Sequence, residues 1–442
     1  MRSVLVKACV AVVAIGSLTA CGGGSGDSGK SGESGKKNIF GRDKEPSAQA
    51  STADPLLKVE VPVGYDTSRG WQLSGQEVGT YGVLPKSDAI ATMTVTGSAY
   101  RMTVRDAVSG KVRWTGKPFE NLFEAQTPHM FVVPAGGREY LVAWSRGEKG
   151  GDAVAKAKKV YSVDIFAADG SGDAVAPTHH VDIPVSDYGT GTIIDAGAKL
   201  LVPKENDHKV VVDVATGRTT EYDTGSLKVN GCSSCNYGNE IAAVTERGPV
   251  VANEGAGMFG VPGAWSSKNS VPSQAESETG AVWPGGDGHL IARWDEKNDG
   301  GHNVWAALDS STAKVEASVL CAKPFIGSGK APEYALSPNG RYLVSEHLAF
   351  DLQAHKGYCF EETDDSKPLT FASVTDDGIA YGTSLTKSLS GTTAPVQLSL
   401  ATGTPKGLPE EEQTPVADLA GVGVFDHSVG DERYLVVYRH KG

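Results

Sequence analysis

The feature that most restricts this chain is one turn that keeps returning. Its fullest form is Val104-Arg-Asp106-Ala-Val-Ser-Gly110-Lys111-Val112-Arg-Trp114. Shorter copies stand at Val212-Asp213-Val-Ala-Thr-Gly217-Arg218, Ala307-Leu-Asp309-Ser-Ser-Thr-Ala313-Lys314-Val315 and Phe350-Asp351-Leu-Gln-Ala-His355-Lys356. Leu398-Ser399-Leu-Ala-Thr-Gly403-Thr404 is fainter, and Val163-Asp164-Ile-Phe-Ala-Ala-Asp169-Gly170 is looser. The chemistry is common to all. A strand ends at the Asp, whose carboxylate accepts backbone N–H groups in the turn. Gly then supplies the positive φ that a tight hairpin needs, and the next strand begins at once.

The Asp-equivalent positions are 106, 164, 213, 309, 351 and 399, which gives steps of 58, 49, 96, 42 and 48 residues. The step of 96 holds two units, with a degenerate copy near Gly257–Trp265. Residues 56–442 show no sustained helical periodicity; short β-branched and aromatic runs alternate with turn residues, the all-β pattern. A period in the forties with four short strands per unit predicts a single β-propeller over 56–442. The sixth unit reads as Glu333–Leu336, Arg341–Glu346, Leu348–Leu352 and Gly357–Glu361, and the seventh as Thr370–Val374, Ile379–Thr383, Val396–Leu400 and Pro405–Leu408. Two runs before the repeats (Lys58–Val63, Gly70–Leu73) and two after them (Val422–Phe425, Arg433–Arg439) predict a composite blade that closes the ring. Eight blades result; seven is the alternative, if the N-terminal runs pack outside. Closure is required because an open ring leaves unpaired strand edges.

The N-terminus carries a different message. Arg2 and Lys7 open it, Ala8 to Ile15 is an apolar stretch too short to span a bilayer, and Leu18-Thr19-Ala20-Cys21 follows. Positive start, apolar core and small-residue exit make residues 1–20 a secretory signal. Its end resembles the bacterial lipobox, which implies a diacylglycerol thioether on Cys21 and acylation of the amine freed before it. Residues 21–55, beginning GGGSGDSGKSGESGKK after Cys21, cannot bury enough apolar surface to order themselves. Gly22 to Lys37 and the less regular stretch to Pro55 form a tether reaching roughly 30–35 Å. The expected location is the extracytoplasmic face of the cell membrane, held by two or more acyl chains.

The formal charge is −12; residues 1–20 hold Arg2, Lys7 and no acid, so their loss leaves −14. Such a chain lacks the clustered Lys and Arg that phosphate contacts require, so nucleic acid is not expected as a partner. Of six cysteines, Cys9 leaves with the signal and Cys21 takes lipid. Cys232, Cys235, Cys321 and Cys359 remain, an even number that reads as two disulfides in an exported chain. Three pairings exist. Cys232–Cys235 with Cys321–Cys359 is favoured, because Cys321 and Cys359 fall in the outer strands of adjacent units and Cys232-Ser-Ser-Cys235 sits in a polar loop.

The stretch Asp106 to Trp114 resembles the PQQ-like repeat, in which Asp, a Ser-Gly or Thr-Gly pair, a basic residue and a later Trp recur once per blade. In that family the tryptophans pack between blades; only the first copy here keeps its Trp, which implies divergent packing elsewhere. Signal, glycine-rich tether and degenerate propeller together look like uncharacterised lipoproteins of high-GC Gram-positive bacteria.

No catalytic motif stands up. Cys232-Ser-Ser-Cys235 lacks the following helix of a redox motif and a second ligand pair for zinc. Gly255-Ala-Gly257-Met-Phe-Gly260 is followed by Pro262 and Gly263, which forbid the helix a dinucleotide site needs. Gly327-Ser-Gly329-Lys330 has Pro324 and Ala331 where a phosphate loop needs Gly and Ser/Thr. The acidic turns Asp295–Gly300 and Asp169–Asp173 read as solvated hairpin tips rather than calcium loops. His179 and His180 point to opposite faces of a strand. Glu410–Glu412 reads as a solvated loop. The expectation is a monomeric, non-enzymatic binding or scaffold module without metal or cofactor, held to the membrane by its lipid and facing a protein or small-molecule partner. The alternatives are a propeller enzyme, quinone-dependent or hydrolytic, and an envelope-assembly scaffold.

Overall fold

Strand alternation explains how these sheets stack. In His289–Asp295, Leu290, Ala292 and Trp294 face one neighbouring sheet while Ile291 faces the other. A strand buried on both faces has no solvated side, so it must sit inside a stack of sheets. The computed structural model describes residues 57–96, 99–122, 128–187, 192–205, 207–323, 332–385 and 393–442. The signal segment 1–20, Cys21, the tether 21–55 and the Gly327–Lys330 loop lie outside the described residues.

Eight antiparallel sheets follow one another around a central channel. Each blade is named by its strands from the channel outward. Blade 1 is Thr80–Leu84, Ala89–Thr96, Ala99–Asp106 and Val112–Gly116; blade 2 is His129–Ala135, Arg138–Lys149, Lys158–Ala167 and His179–Pro184. Blade 3 is Ile194–Asp195, Leu200–Pro203, His208–Val212 and Thr219–Asp223; blade 4 is Asn239–Thr245, Gly248–Asn253, Met258–Val261 and Trp265–Ser266. Blade 5 is Ala281–Pro284, His289–Asp295, His302–Asp309 and Val315–Ala322; blade 6 is Tyr334–Leu336, Tyr342–Ser345, Leu348–Asp351 and Lys356–Cys359. Blade 7 is Leu369–Val374, Ile379–Leu385, Thr393–Ser399 and Thr404–Gly407. Blade 8 is Ala417–Leu419, Val422–Val429, Glu432–His440 and, as its outer strand, Tyr65–Ser74. Every gap between consecutive blades, including those on both sides of blade 8, holds its own apolar cluster. The ring is therefore closed and eight-bladed.

The closing blade differs in one respect from the sequence expectation. Three strands come from the C-terminal end and one from the N-terminal end, not two and two. Lys58–Val63 forms no strand: the Val59 amide donates to the Tyr438 hydroxyl at 3.1 Å, and that hydroxyl donates to the Leu57 carbonyl at 3.0 Å. Side-chain bonds replace a ladder there.

The recurring turn has the anticipated chemistry. Asp106 Oδ1 accepts the Ser109 amide at 2.8 Å, Asp213 Oδ1 the Thr216 amide at 3.0 Å, Asp309 Oδ1 the Thr312 amide at 2.8 Å and Asp351 Oδ1 the Ala354 amide at 3.0 Å. The positive φ falls on Gly110 and Gly217, and equally on Ala313 and His355. Asp164 is a correction. It lies inside Lys158–Ala167 and bonds His180 at 2.7 Å; the turn of that blade begins at Ala167, whose carbonyl accepts the Gly170 amide. The loop after it, Gly172–Val175, runs parallel to the outer strand of blade 1 and covers that edge.

The blades are pinned by side chains that dock on the next blade's recurring turn. Trp71 of blade 8 donates Nε1–H to the Ala107 carbonyl at 2.7 Å, and Trp114 of blade 1 donates to Ala168 at 2.9 Å. His179 of blade 2 meets the Ala215 carbonyl at 3.1 Å, Trp265 of blade 4 meets Ser310 at 3.2 Å, and the Tyr358 hydroxyl of blade 6 donates to Leu400 at 2.8 Å. Glycine at the turn makes room: a Cβ on Gly110 would stand 2.7 Å from the Trp71 ring. Docking of this kind is made at five of the eight junctions, by histidine at one and by tyrosine at another in place of tryptophan. Between blades 5 and 6 the link is covalent. Cys321 and Cys359 are joined, with Cα atoms 5.6 Å apart. Cys232 and Cys235 are joined as well, in the loop before blade 4, where Cys235 packs with Val229, Val251 and Met258.

Candidate functional site

The turns between the first and second strands of the blades meet at one end of the channel. There blades 1, 2, 5, 6, 7 and 8 enclose a cavity of about 340 Å³, within the range of small-molecule sites. Its walls are mainly apolar, with Val83, Val132, Pro134, Leu336, Val374 and Val416 prominent. A second hollow of about 210 Å³ between the same turns of blades 2 to 5 shares Pro134 and Asp287 with it. Lys86 of blade 1 reaches Asp287 of blade 5 at 2.6 Å, an ion pair between diametrically opposite blades.

The polar groups of the wall fall into two sets. The first set is spent on the fold. Ser373 Oγ donates to the Pro415 carbonyl at 2.7 Å, and Ser337 Oγ to Asn339 Oδ1 at 2.7 Å. Asp418 Oδ2 accepts the Tyr65 hydroxyl at 2.9 Å and faces His440 Nε2 at 2.8 Å; the Asp418 carboxylate holds His440 above the ordinary histidine value. These bonds tie the N-terminal outer strand to the rest of blade 8. Among the described residues neither lining serine is bonded to an imidazole.

The second set faces the channel. Glu139, 5% exposed, accepts the Lys86 amide on Oε1 at 3.0 Å, while its Oε2 is buried with no hydrogen-bond partner among the described residues. Burial pushes its carboxyl above the usual range, outweighing the Ser87 hydroxyl, the Lys86 and Ser87 amides and the Lys86 charge, which act to lower it. Burial also raises the Tyr334 hydroxyl, and the Asp195 and Asp287 carboxylates add to it. Behind the wall, Asp195, on the innermost strand of blade 3 and not among the residues lining either hollow, is pushed up to about 6 by burial despite a hydrogen bond from the Gly197 amide. None of these four residues belongs to a recognisable motif. The sole local signal is an acid or a tyrosine beside an inner-hairpin glycine, as in Gly137-Arg138-Glu139 and Gly286-Asp287.

The sequence candidates are dispersed. Cys232, Cys235, Cys321 and Cys359 are all in disulfides and away from the cavity wall. Gly255 to Gly257 fall in the turn between two strands, and Met258 to Gly260 already belong to the second strand, so no helix follows. Asp169 pairs with Arg138 at 2.6 Å and Asp295 with Lys323 at 2.9 Å. Glu296, Asp299 and His302 bring donor atoms within 4.8 Å of one another, and His302 already bonds both acids. Glu412 departs from a solvated loop, since its Oε2 is buried without a partner. Among the described residues no helix is long and apolar enough to cross a membrane.

No protein-family model matches the chain, and no curated protein matches it. Among solved structures it is similar to the β-propeller domain of Cps50 (Swd1) from Myceliophteria thermophila, with 11% identity, 83% of this chain and 97% of that one covered, and a TM-score of 0.39. An uncharacterised protein of Listeria monocytogenes EGD-e matches at 11% identity over 87% of this chain and 91% of that one, TM-score 0.34. The Dos1 propeller matches at 10% identity over 82% and 94%, TM-score 0.38. The eight-bladed assignment rests on the ladders and inter-blade clusters themselves.

Proposed function

We propose that this chain is a lipid-anchored extracytoplasmic binding module whose ligand seat is the channel end enclosed by the inner hairpins. The observation that carries the seat is the cavity itself: apolar walls contributed by six blades, with few polar groups left uncommitted. The observation that carries the anchor is the Leu18-Thr19-Ala20-Cys21 segment followed by a glycine-rich tether. The repeated Asp-to-Trp turn supports descent from PQQ-like-repeat propellers.

Ala372 is exposed to the cavity, so a tryptophan there fills the seat without entering an inter-blade layer. The uncharged dye Nile red is expected to bind wild type saturably and to lose that binding in Ala372→Trp. Equal binding by the two proteins would refute the seat. In cells, Cys21→Ser is expected to move the protein from the membrane fraction to the soluble fraction; retention after a salt wash would refute the anchor.

A further inference from the structure

We propose that the Cys321–Cys359 bridge is also the oxidised form of a zinc site: once a dithiol reductant opens it, the two thiolates and His347 hold one Zn²⁺ at the junction of blades 5 and 6. This site is independent of the channel seat.

Three separate segments bring the donors together. Cys321 stands in the outer strand of blade 5, Val315–Ala322, and Cys359 ends the outer strand of blade 6, Lys356–Cys359. His347 occupies the short turn between Tyr342–Ser345 and Leu348–Asp351. That turn is fixed from both sides. Glu346 has φ +48°, a left-handed conformation uncommon for a residue with a Cβ, and its carbonyl accepts the Phe371 amide of blade 7 at 2.8 Å. The His347 carbonyl accepts the amide of Phe360, the residue after Cys359, at 2.8 Å. Both sulfurs and one imidazole nitrogen consequently lie within 4.8 Å of one another. Among the described residues no comparable third donor converges on Cys232 and Cys235.

Donor chemistry selects the metal. Two thiolates and an imidazole are the soft and borderline ligands that favour zinc over calcium or magnesium. Zinc bound to sulfur at about 2.3 Å and to imidazole at about 2.0–2.1 Å needs tetrahedral donors roughly 3.5–3.8 Å apart. The cysteine Cα atoms are 5.6 Å apart, a span the two side chains can bridge through a metal as well as through a bond. Glu361 Oε1 stands 3.0 Å from His347 Nε2, and such a carboxylate steadies a ligating imidazole. Three protein ligands leave the fourth position to water. Access is one-sided: Cys321 is buried, whereas Cys359 is half-buried and lines a hollow of about 400 Å³ together with Glu361. A reductant thiolate therefore attacks Cys359 Sγ, the S–S bond breaks, and Cys321 leaves as a thiolate. The second thiol of the reductant then attacks its own sulfur in the mixed disulfide, and Cys359 leaves in turn. Two electrons pass to the protein and the reductant becomes a disulfide. Zn²⁺ entering from the hollow binds both thiolates, and any proton they had taken up returns to water.

The test reduces the full chain without denaturant, using a water-soluble phosphine so that no small dithiol competes for the metal, and titrates Zn²⁺ against a chromophoric chelator. The reduced chain is expected to bind one Zn²⁺ at the bridge with a Kd below about 1 µM, and the oxidised chain about a hundredfold more weakly or not at all. Glu361→Gln is expected to weaken zinc about tenfold, and His347→Gln by more than that. Alanine at both 232 and 235 is expected to leave this binding unchanged. With Co²⁺ in place of zinc, thiolate-to-metal charge-transfer absorption is expected in the reduced wild type and lost in Cys321→Ala. Zinc is also expected to raise the thermal midpoint of the reduced chain toward that of the oxidised one, and to do so much less in His347→Gln. A bridge that resists the phosphine, a reduced chain that takes no zinc, or His347→Gln binding as wild type does overturns the proposal. So does zinc uptake that vanishes when Cys232 and Cys235 are replaced. If reduction alone unfolds the chain, zinc is expected to refold it, and failure to refold is equally a refutation.

Discussion

Trp71 and Gly110 allow the docking geometry to be tested energetically. Trp71 is 1% exposed, lies in the N-terminal strand that closes the ring, and donates Nε1–H to the Ala107 carbonyl. Its replacement by alanine removes the indole from a closed layer, a loss of about 3–5 kcal/mol. Gly110 has φ +68°, and an added Cβ would meet Trp71 Cγ and Cδ2 at 2.7 Å. Gly110→Ala therefore incurs about 1–2 kcal/mol for a left-handed alanine and about 1–3 kcal/mol of overpacking. The second part depends on the indole. In a Trp71→Ala background it disappears, so the double-mutant cycle should return a coupling of about 1–3 kcal/mol. Gly136 is the control: its φ is +58° with nothing within 4 Å, so Gly136→Ala should show backbone strain alone and no coupling to Trp71. The measurement is the guanidinium midpoint by circular dichroism, in the Cys21→Ser background, which is soluble if the proposed lipid anchor is correct. A Trp71–Gly110 coupling within about 0.5 kcal/mol of zero would refute docking as the interlock between blades 8 and 1.

Two further outcomes follow from single contacts. Asp351 is buried and takes two bonds from Arg341, at 3.1 and 2.8 Å, which hold its carboxyl below the usual range. The stability this ion pair supplies is present above the unfolded-state value, about pH 4, and is lost as pH falls through the folded value; Asp351→Asn should narrow the gap to wild type on acidification, and a gap independent of pH would show that the charge is idle. The Cys321–Cys359 bridge spans 38 residues against 3 for Cys232–Cys235. On a chain-entropy basis the first supplies about 4 kcal/mol and the second about 2, so paired Cys→Ala substitutions should lower the thermal midpoint more at 321 and 359; the reverse order would place the main staple in the loop before blade 4.

The architecture was legible because its key element is local. Asp, a hydroxyl residue and a residue at positive φ stand within five positions of one another in the fullest copy, and the bonds that close the turn fall inside that span. Units six and seven come within three residues of the observed strands for the same reason. The misreadings arose where a residue's partner is distant. Val59-Glu60-Val61 looks like a strand, yet its amide is claimed by a hydroxyl some 379 positions away. Asp164 looks like a turn acid, yet its partner is His180 on the neighbouring strand. Docking was seen at Trp114 alone, because Trp71, His179, Trp265 and Tyr358 differ in type and in spacing from the nearest glycine while serving the same carbonyl position.

The cavity was not legible, and the physics of ring closure says why. In an isolated blade 2, Glu139 would be a strand-end acid free to take water on both oxygens. It loses that water only when blade 1 is set against blade 2 and the Lys86 amide arrives from 53 positions upstream. Lys86 and Asp287, 201 positions apart, likewise become a pair only when the chain between them is wound through half the ring. Every chemical property assigned to the seat, the orphan oxygen, the raised carboxyls and the bridge across the channel, is therefore a product of closure and not of any blade's own sequence. Inner-hairpin residues can vary without harming the blade that carries them, so the repeat that announces the fold is silent about the ligand.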